Sequence, residues 1–174
     1  MLKVLEVNGK KDFFLLLLSI ILINGLAYIV GNLTRGSAMI YANLQKPVFA
    51  PPPWVFGVVW PILYFLMSIA LYRILMLGKQ GEDIRREIVA FTIQFILNLA
   101  WSIIFFYYGN IFLALIDLAI LLIFIVITII LFYRKDKIAG LLLIPYFLWC
   151  CFALVLNYSI YTLNKQPSSG LINI

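Results

Sequence analysis

Five stretches of this chain stay apolar for about twenty residues at a time, and nothing else in the sequence limits the fold as strongly. They run at about 13–30, 54–77, 88–108, 111–133 and 138–163. A bilayer's hydrocarbon core is about 30 Å thick and needs about 20 apolar residues to be crossed as a helix. In that core every backbone N–H and C=O must be bonded within the protein, which helices achieve without partners. The predicted fold is an all-α integral membrane protein, a bundle of five transmembrane helices, with residues 1–174 forming one membrane domain. Composition agrees: 65% of residues are hydrophobic and 11% charged, against roughly one half and one quarter in soluble domains.

The first run follows Lys10 and Lys11 in the manner of a secretory signal. It exceeds the roughly 7–15 residues of such a core, and no small-x-small cleavage site follows, so it reads as a retained anchor. Basic residues in the flanks set orientation. Lys3, Lys10, Lys11, Arg73, Lys79, Arg85, Arg86, Arg134, Lys135 and Lys137 fall on one side, and Arg35, Lys46 and Lys165 on the other. The expected N-terminus is cytoplasmic, in a bacterial inner membrane. The basic residues do not cluster as a nucleic-acid site would require. There is no internal repeat of the kind many secondary transporters carry.

Four of the seven prolines lie within Pro47–Pro53 in "LQKPVFAPPPWVFGVVWPILY", Leu44 to Tyr64. They stiffen the loop at 31–52 in extended form and reduce the entropy it loses on lying across the bundle. Pro53 suits the first turn of a helix. Pro61, inside that helix, is expected to kink it and to free the carbonyl of Gly57. The three-residue "YGN" turn, Tyr108 to Asn110, makes the third and fourth spans antiparallel neighbours.

The chain has no histidine, which removes His-ligated zinc or haem iron and any Ser-His or Cys-His pair. Adjacent Cys150 and Cys151 have poor disulfide geometry on a helix and read as small membrane residues. Polar groups inside spans are costly and therefore informative. Gln94, Asn98, Trp101 and Phe105 share one face of the third span, and Trp149, Ala153, Leu156 and Ile160 one face of the fifth, with Asn157 alongside and Tyr146 a turn earlier. Trp60 and Tyr64 share a face of the second. Amides and small residues also join membrane helices with no ligand present, which is the simpler account of Gln94. Three indoles deep in a small bundle instead point to an apolar pocket with a few polar groups, suited to a flat polycyclic ligand. Asp117, in the fourth span, has no second buried ionisable group for a proton relay, so a hydrogen bond to a neighbouring helix is the simpler role. The rest of that span is an aliphatic wall toward lipid or a second copy.

These segments resemble the TspO/MBR family, the bacterial tryptophan-rich sensory proteins and the mitochondrial translocator protein (peripheral benzodiazepine receptor). The similarity lies in "LQKPVFAPPPWVFGVVWPILY", "QFILNLAWSIIFF", "ALIDL" and "LLIPYFLWCCFALVLNY" in that order. It implies a five-helix bundle, usually a homodimer, whose first loop covers a pocket for porphyrins such as protoporphyrin IX. In some members the ligands include cholesterol and synthetic isoquinoline carboxamide or benzodiazepine-type compounds. It also implies that Trp60, Asn98, Trp101, Trp149, Ala153 and Leu156 line the pocket and that Tyr41 sits in the lid. Trp60 and Trp149 match tryptophans tied to light-dependent porphyrin breakdown in some members. The chain departs from the family at Ile40, where a lid tryptophan is common, and at Leu113, a tryptophan in animal members. Thr162 stands where the sterol-recognition stretch has arginine, leaving Leu156, Tyr158, Tyr161 and Lys165 as a loose version of it.

The expected function is a membrane receptor or carrier for porphyrins, held as ligand rather than cofactor, with sterols as a further ligand class. The oriented ligand would stack on the three tryptophans, with Asn98 as its polar contact and Arg35 or Lys46 meeting its propionates. The expectation is of no enzyme. One alternative is light- and oxygen-dependent porphyrin degradation by the pocket tryptophans. Another is a ligand-independent regulatory scaffold, for which 78–87 and the tail from Lys165 to Ile174 offer the main exposed polar surface.

Overall fold

The computed structural model describes residues 2–165. The part of the C-terminal tail beyond Lys165 lies outside them. Among the described residues the chain forms seven α-helices: α1 (Phe13–Leu33), α2 (Ser37–Asn43), α3 (Pro53–Lys79), α4 (Arg85–Ser102), α5 (Ile111–Lys135), α6 (Lys137–Leu142) and α7 (Ile144–Asn164). Five helical units are long and apolar enough to cross a membrane, with α6 and α7 together making the fifth. The protein is an integral, multi-pass, all-α membrane bundle.

Local chemistry sets the boundaries. Asp12 caps α1 by accepting from the Leu15 N–H at 3.0 Å, and Asn110 caps α5 through Leu113 at 2.9 Å. Gly109, at φ +64°, makes the tight turn that reverses the chain between α4 and α5. Helix α3 starts at Pro53 and continues through Pro61. The fifth span is interrupted at Leu143 because Pro145, in the first turn of α7, has no N–H to extend the preceding helix. The third span ends in a wider π turn, Ile103–Tyr107, closed by a Tyr108 N–H to Ile103 O bond of 3.0 Å. Such turns are rare and commonly found at functional sites.

The helices close a ring in which α1 packs along α3, α7 along α5, α5 along α4, and α4 returns to α1. Aromatic pairs join α3 to α7: Phe56 with Trp149 at 5.8 Å and Trp60 with Tyr146 at 6.4 Å. Met67, Ile74, Leu121, Ile125 and Tyr146 fill the interior. On α5 the exposed row Ile116, Ile120, Ile123, Ile127 and Ile130 is the expected aliphatic wall. Asp117 lies on the other side of that helix, buried.

The segment ahead of α1 covers one end of the ring. Tyr72 Oη donates to Leu5 O (2.9 Å) and accepts from the Asp12 N–H (3.1 Å). Gln80 Nε2 reaches Val7 O at 3.2 Å, and Lys79 pairs with Asp12 at 2.5 Å. Arg73 donates to the carbonyls of Val4 and Glu6 and pairs with Asp136, the N-cap of α6. The α5–α6 corner is equally tight, since a Cβ on Gly140 would lie 2.6–2.8 Å from the Cβ, Cα and N of Tyr133. Gly140→Ala is therefore expected to destabilise the protein in detergent by about 1–3 kcal/mol, the usual range for overpacking. Gly31→Ala, where a Cβ meets nothing within 4 Å, is the matched control. Equal unfolding midpoints for the two variants would refute so close an approach.

Candidate ligand cleft under the lid

At the end opposite the N-terminal segment, α1 runs to Leu33 and the chain turns at Gly36 (φ +92°) into the short α2. The expected polar loop at 31–52 thus contains a helix, followed by an extended stretch with one turn, Ala50 N–H to Pro47 O at 3.0 Å. This lid is fastened at three points. Tyr41 Oη donates to Pro51 O at 3.1 Å. Lys46 Nζ donates to the carbonyls of Tyr41, Ala42 and Leu44 at 2.7–2.9 Å, satisfying the C-terminal carbonyls of α2. Asn164 exchanges bonds with both backbone groups of Gln45, at 3.1 and 2.9 Å, and so ties the lid to the end of α7. Burial raises the Tyr41 phenol above its ordinary pKa, which keeps it protonated as a donor.

Beneath the lid lies a cleft of about 370 Å³. Its walls come from Ala27 and Gly31 on α1 and Thr34 at its C-cap, Tyr41 on α2, Gly57, Trp60 and Tyr64 on α3, and Trp101 and Phe106 at the end of the third span. Trp60 stacks on Tyr64 at 5.3 Å and 26°. Trp101 stacks on Phe105 at 5.2 Å and is held by its Nε1 donating to Asn157 Oδ1 at 3.1 Å. Asn157 in turn donates to Ile111 O at 3.0 Å, so one amide locks α7 to the ends of α4 and α5. Gly57 lacks the usual intrahelical partner for its carbonyl because Pro61 has no N–H, which adds a polar group to the α3 wall.

The residues singled out from sequence divide into three sets. Tyr41, Trp60 and Trp101 line the cleft. Ala153 and Leu156 line a separate void of about 20 Å³ that shares Tyr41, Phe56, Trp101 and Phe106 with it. Phe56 is one of these four shared walls, its ring edge-on to Tyr41 at 5.1 Å and to Trp149 at 5.8 Å. Trp149 and Asn98 line neither space. Trp149 lies behind Phe56 with its buried Nε1 lacking a partner among the described residues. Asn98 is buried and accepts from Tyr64 Oη at 2.8 Å, so it acts on the cleft through Tyr64. Gln94 lies against Met67 within the core, and the Tyr146 hydroxyl has no hydrogen-bond partner among the described residues.

Two expectations about charge and sterol change in detail. Lys46 is engaged by α2, while Arg35 holds only Asn32 Oδ1, at 2.7–3.0 Å, and is exposed. Of the two lid cations, Arg35 is therefore the more accessible. Leu156 is buried whereas Tyr158 is 57% exposed, two positions on and across the helix. Tyr161 packs on Phe112 at 5.2 Å with Lys165 Nζ 5.3 Å from its ring. These four residues do not make one surface.

The α1 wall went unread in the sequence. Ala27, Gly31 and Thr34 follow i, i+4, i+7 spacing, a small-residue stripe that lets something approach closely. Within a uniformly apolar run the stripe was the only signal.

The described residues hold no group of three or more potential metal ligands among His, Cys, Asp and Glu. A sequence model of the TspO/MBR family matches residues 18–163. The chain is 41% identical over 130 residues to the tryptophan-rich protein TspO of Chlorobaculum tepidum, covering 75% of this chain and 82% of that one. It is 44% identical over 126 residues to the tryptophan-rich protein TspO of Archaeoglobus fulgidus, covering 71% and 79%. To the translocator protein of Homo sapiens it is 37% identical over 131 residues, covering 75% and 78%. These relatives are named tryptophan-rich protein TspO or translocator protein, and none of the three names is that of an enzyme. With most of its length matched and its five spans in place, the chain belongs to the TspO/MBR family.

Proposed function

We propose that this protein is a receptor or carrier for flat, hydrophobic tetrapyrroles, protoporphyrin IX in particular, acting in sensing or transport. The observation that carries this reading is the cleft beneath the fastened lid, with two indoles and two tyrosines in its walls. A concave apolar space with a few polar groups is the usual form of a small-molecule site, and its volume lies at the lower end of the usual range of about 300–1,000 Å³. Rotation of Phe56 would join it to the void on the α7 side and bring Ala153, Leu156 and Trp149 into contact with a larger ligand. The buried donors of Tyr146 and Trp149, without acceptors among the described residues, then gain partners at the ligand's polar edge. Arg35 is the proposed partner of a propionate. Residues 1–174 act as one membrane domain, paired as a homodimer, with the N-terminus in the cytoplasm of a bacterial cell. Sterols are a second ligand class in this reading, taken by the same cleft rather than by the dispersed motif on α7.

Protoporphyrin IX added to the purified protein is expected to quench tryptophan fluorescence saturably. Trp60→Ala should weaken binding about tenfold, through loss of an aromatic pair of about 0.5–1.5 kcal/mol together with its buried area. Quenching no stronger than that of free tryptophan in empty micelles would end the proposal.

A further inference from the structure

The basic end of the bundle carries a second feature, on its outer surface and away from the cleft. Between α4 and α5 runs a groove of about 430 Å³ whose walls are Val89, Ala90, Ile93, Phe124, Ile127 and Leu131, with Arg85 and Arg86 at its mouth. Every wall residue except the two arginines is apolar. The arginines occupy the first turn of α4, a helix whose N-cap, Ile84, supplies no side-chain bond.

Lys11, Arg73, Lys79 and Lys135, also at this end, each have a carboxylate within 3.4 Å. Arg85 has only Asp83, at 4.0 Å, with both side chains largely exposed. Arg86 has no ion-pair partner among the described residues. Lys10, Arg134 and Lys137 at this end have no ion pair among the described residues either, but only Arg85 and Arg86 stand in the wall of an apolar groove. Glu87, the acid in this turn, is buried on the inner face. Two adjacent, nearly free guanidiniums thus stand where a helix enters the membrane, directly above an apolar channel reaching two turns into it. Guanidinium binds phosphate through paired N–H donors, and basic pockets between membrane helices take anionic headgroups. The aliphatic channel below has the character of an acyl chain.

We infer that the α4–α5 groove is a binding site for one anionic phospholipid, with its phosphate on Arg85 and Arg86 and an acyl chain against Val89, Ile93 and Ile127. A soluble anion would use the arginines and leave the channel unfilled. A zwitterionic lipid would fill the channel and gain little from two cations.

Native mass spectrometry of the full chain in detergent tests this, with palmitoyl-oleoyl phosphatidylglycerol titrated against the phosphatidylcholine of the same chains. The wild type should retain a single phosphatidylglycerol in preference. Arg85→Ala with Arg86→Ala should cut that preference about 30-fold, the effect of two surface cations. Val89→Trp, which fills the channel and keeps both arginines, should lose the adduct to a similar extent. Lys10→Ala with Lys11→Ala, equal in charge removed, should retain it, and helical circular dichroism should be unchanged in all. The inference fails if the arginine pair can be removed without effect, or if Lys10 and Lys11 matter equally. It fails also if Val89→Trp leaves the adduct intact. Conversion of Val89→Trp from dimer to monomer with lipid adducts unchanged would place a second copy of the chain in the groove instead.

Discussion

Arg73→Ala is expected to cost about 3–5 kcal/mol of stability, the range for breaking one side of a buried ion pair. The guanidinium donates to both Asp136 oxygens, at 2.9 and 2.6 Å, with side chains only 5% and 9% exposed. Its third nitrogen reaches Val4 O and Glu6 O. Truncation leaves a buried carboxylate without its cation and two carbonyls without their donor. The damage joins three parts of the chain, because Asp136 also caps α6 through the Ala139 N–H at 2.8 Å. Arg73→Lys should recover little, since a single ammonium cannot span a carboxylate and two carbonyls in that geometry. Chemical unfolding in detergent measures the loss; a change below about 0.5 kcal/mol would place this pair with ordinary surface pairs.

The same end predicts a direction with pH. Burial acts to raise the Asp136 pKa, but Arg73 and the Ala139 N–H outweigh it and hold the group below the usual carboxylate value. Asp12 is lowered likewise by Lys79 and the Leu15 N–H. A depressed folded-state pKa stabilises fully above the unfolded value of about 4 and is lost as pH falls through the folded value. The N-terminal segment should therefore loosen in acid, below the ordinary carboxylate range.

The spans, their order and the pairing of α4 with α5 were legible because apolar length and a three-residue turn are local properties. Trp60 and Trp101 were legible because deep indoles need room. The inward direction of Trp149 and Asn98 was equally plain in the periodicity, but periodicity gives a face and not a depth. Only packing reveals that Phe56 stands before Trp149 and Tyr64 before Asn98. The Gln45–Asn164 tie joins positions 119 apart, and no spacing rule reports such a pair. The π turn at Ile103–Tyr107 was hidden because one extra residue in a turn hardly alters an apolar pattern.

Phe56, between the cleft and Trp149, makes the final prediction decisive for the site. Gly31→Trp should abolish protoporphyrin IX binding, by at least about 100-fold or 2.7 kcal/mol, while leaving the unfolding midpoint near that of the wild type. A Cβ at Gly31 meets open space, and the cleft it enters measures about 370 Å³, so an indole there displaces ligand rather than protein. Asn98→Ala with Trp149→Phe acts from behind the first wall and should weaken binding only several-fold, through a looser Tyr64 and Phe56. If the double variant abolishes binding and Gly31→Trp binds normally, the ligand lies on the α7 side of Phe56 and the lid cleft is only its antechamber. If both bind normally, the aromatic walls serve packing alone. The two variants thus test which side of Phe56 the porphyrin occupies, because the small α1 residues line the cleft with Trp60 and Tyr64 on one side and Trp149 of α7 packs against the ring on the other.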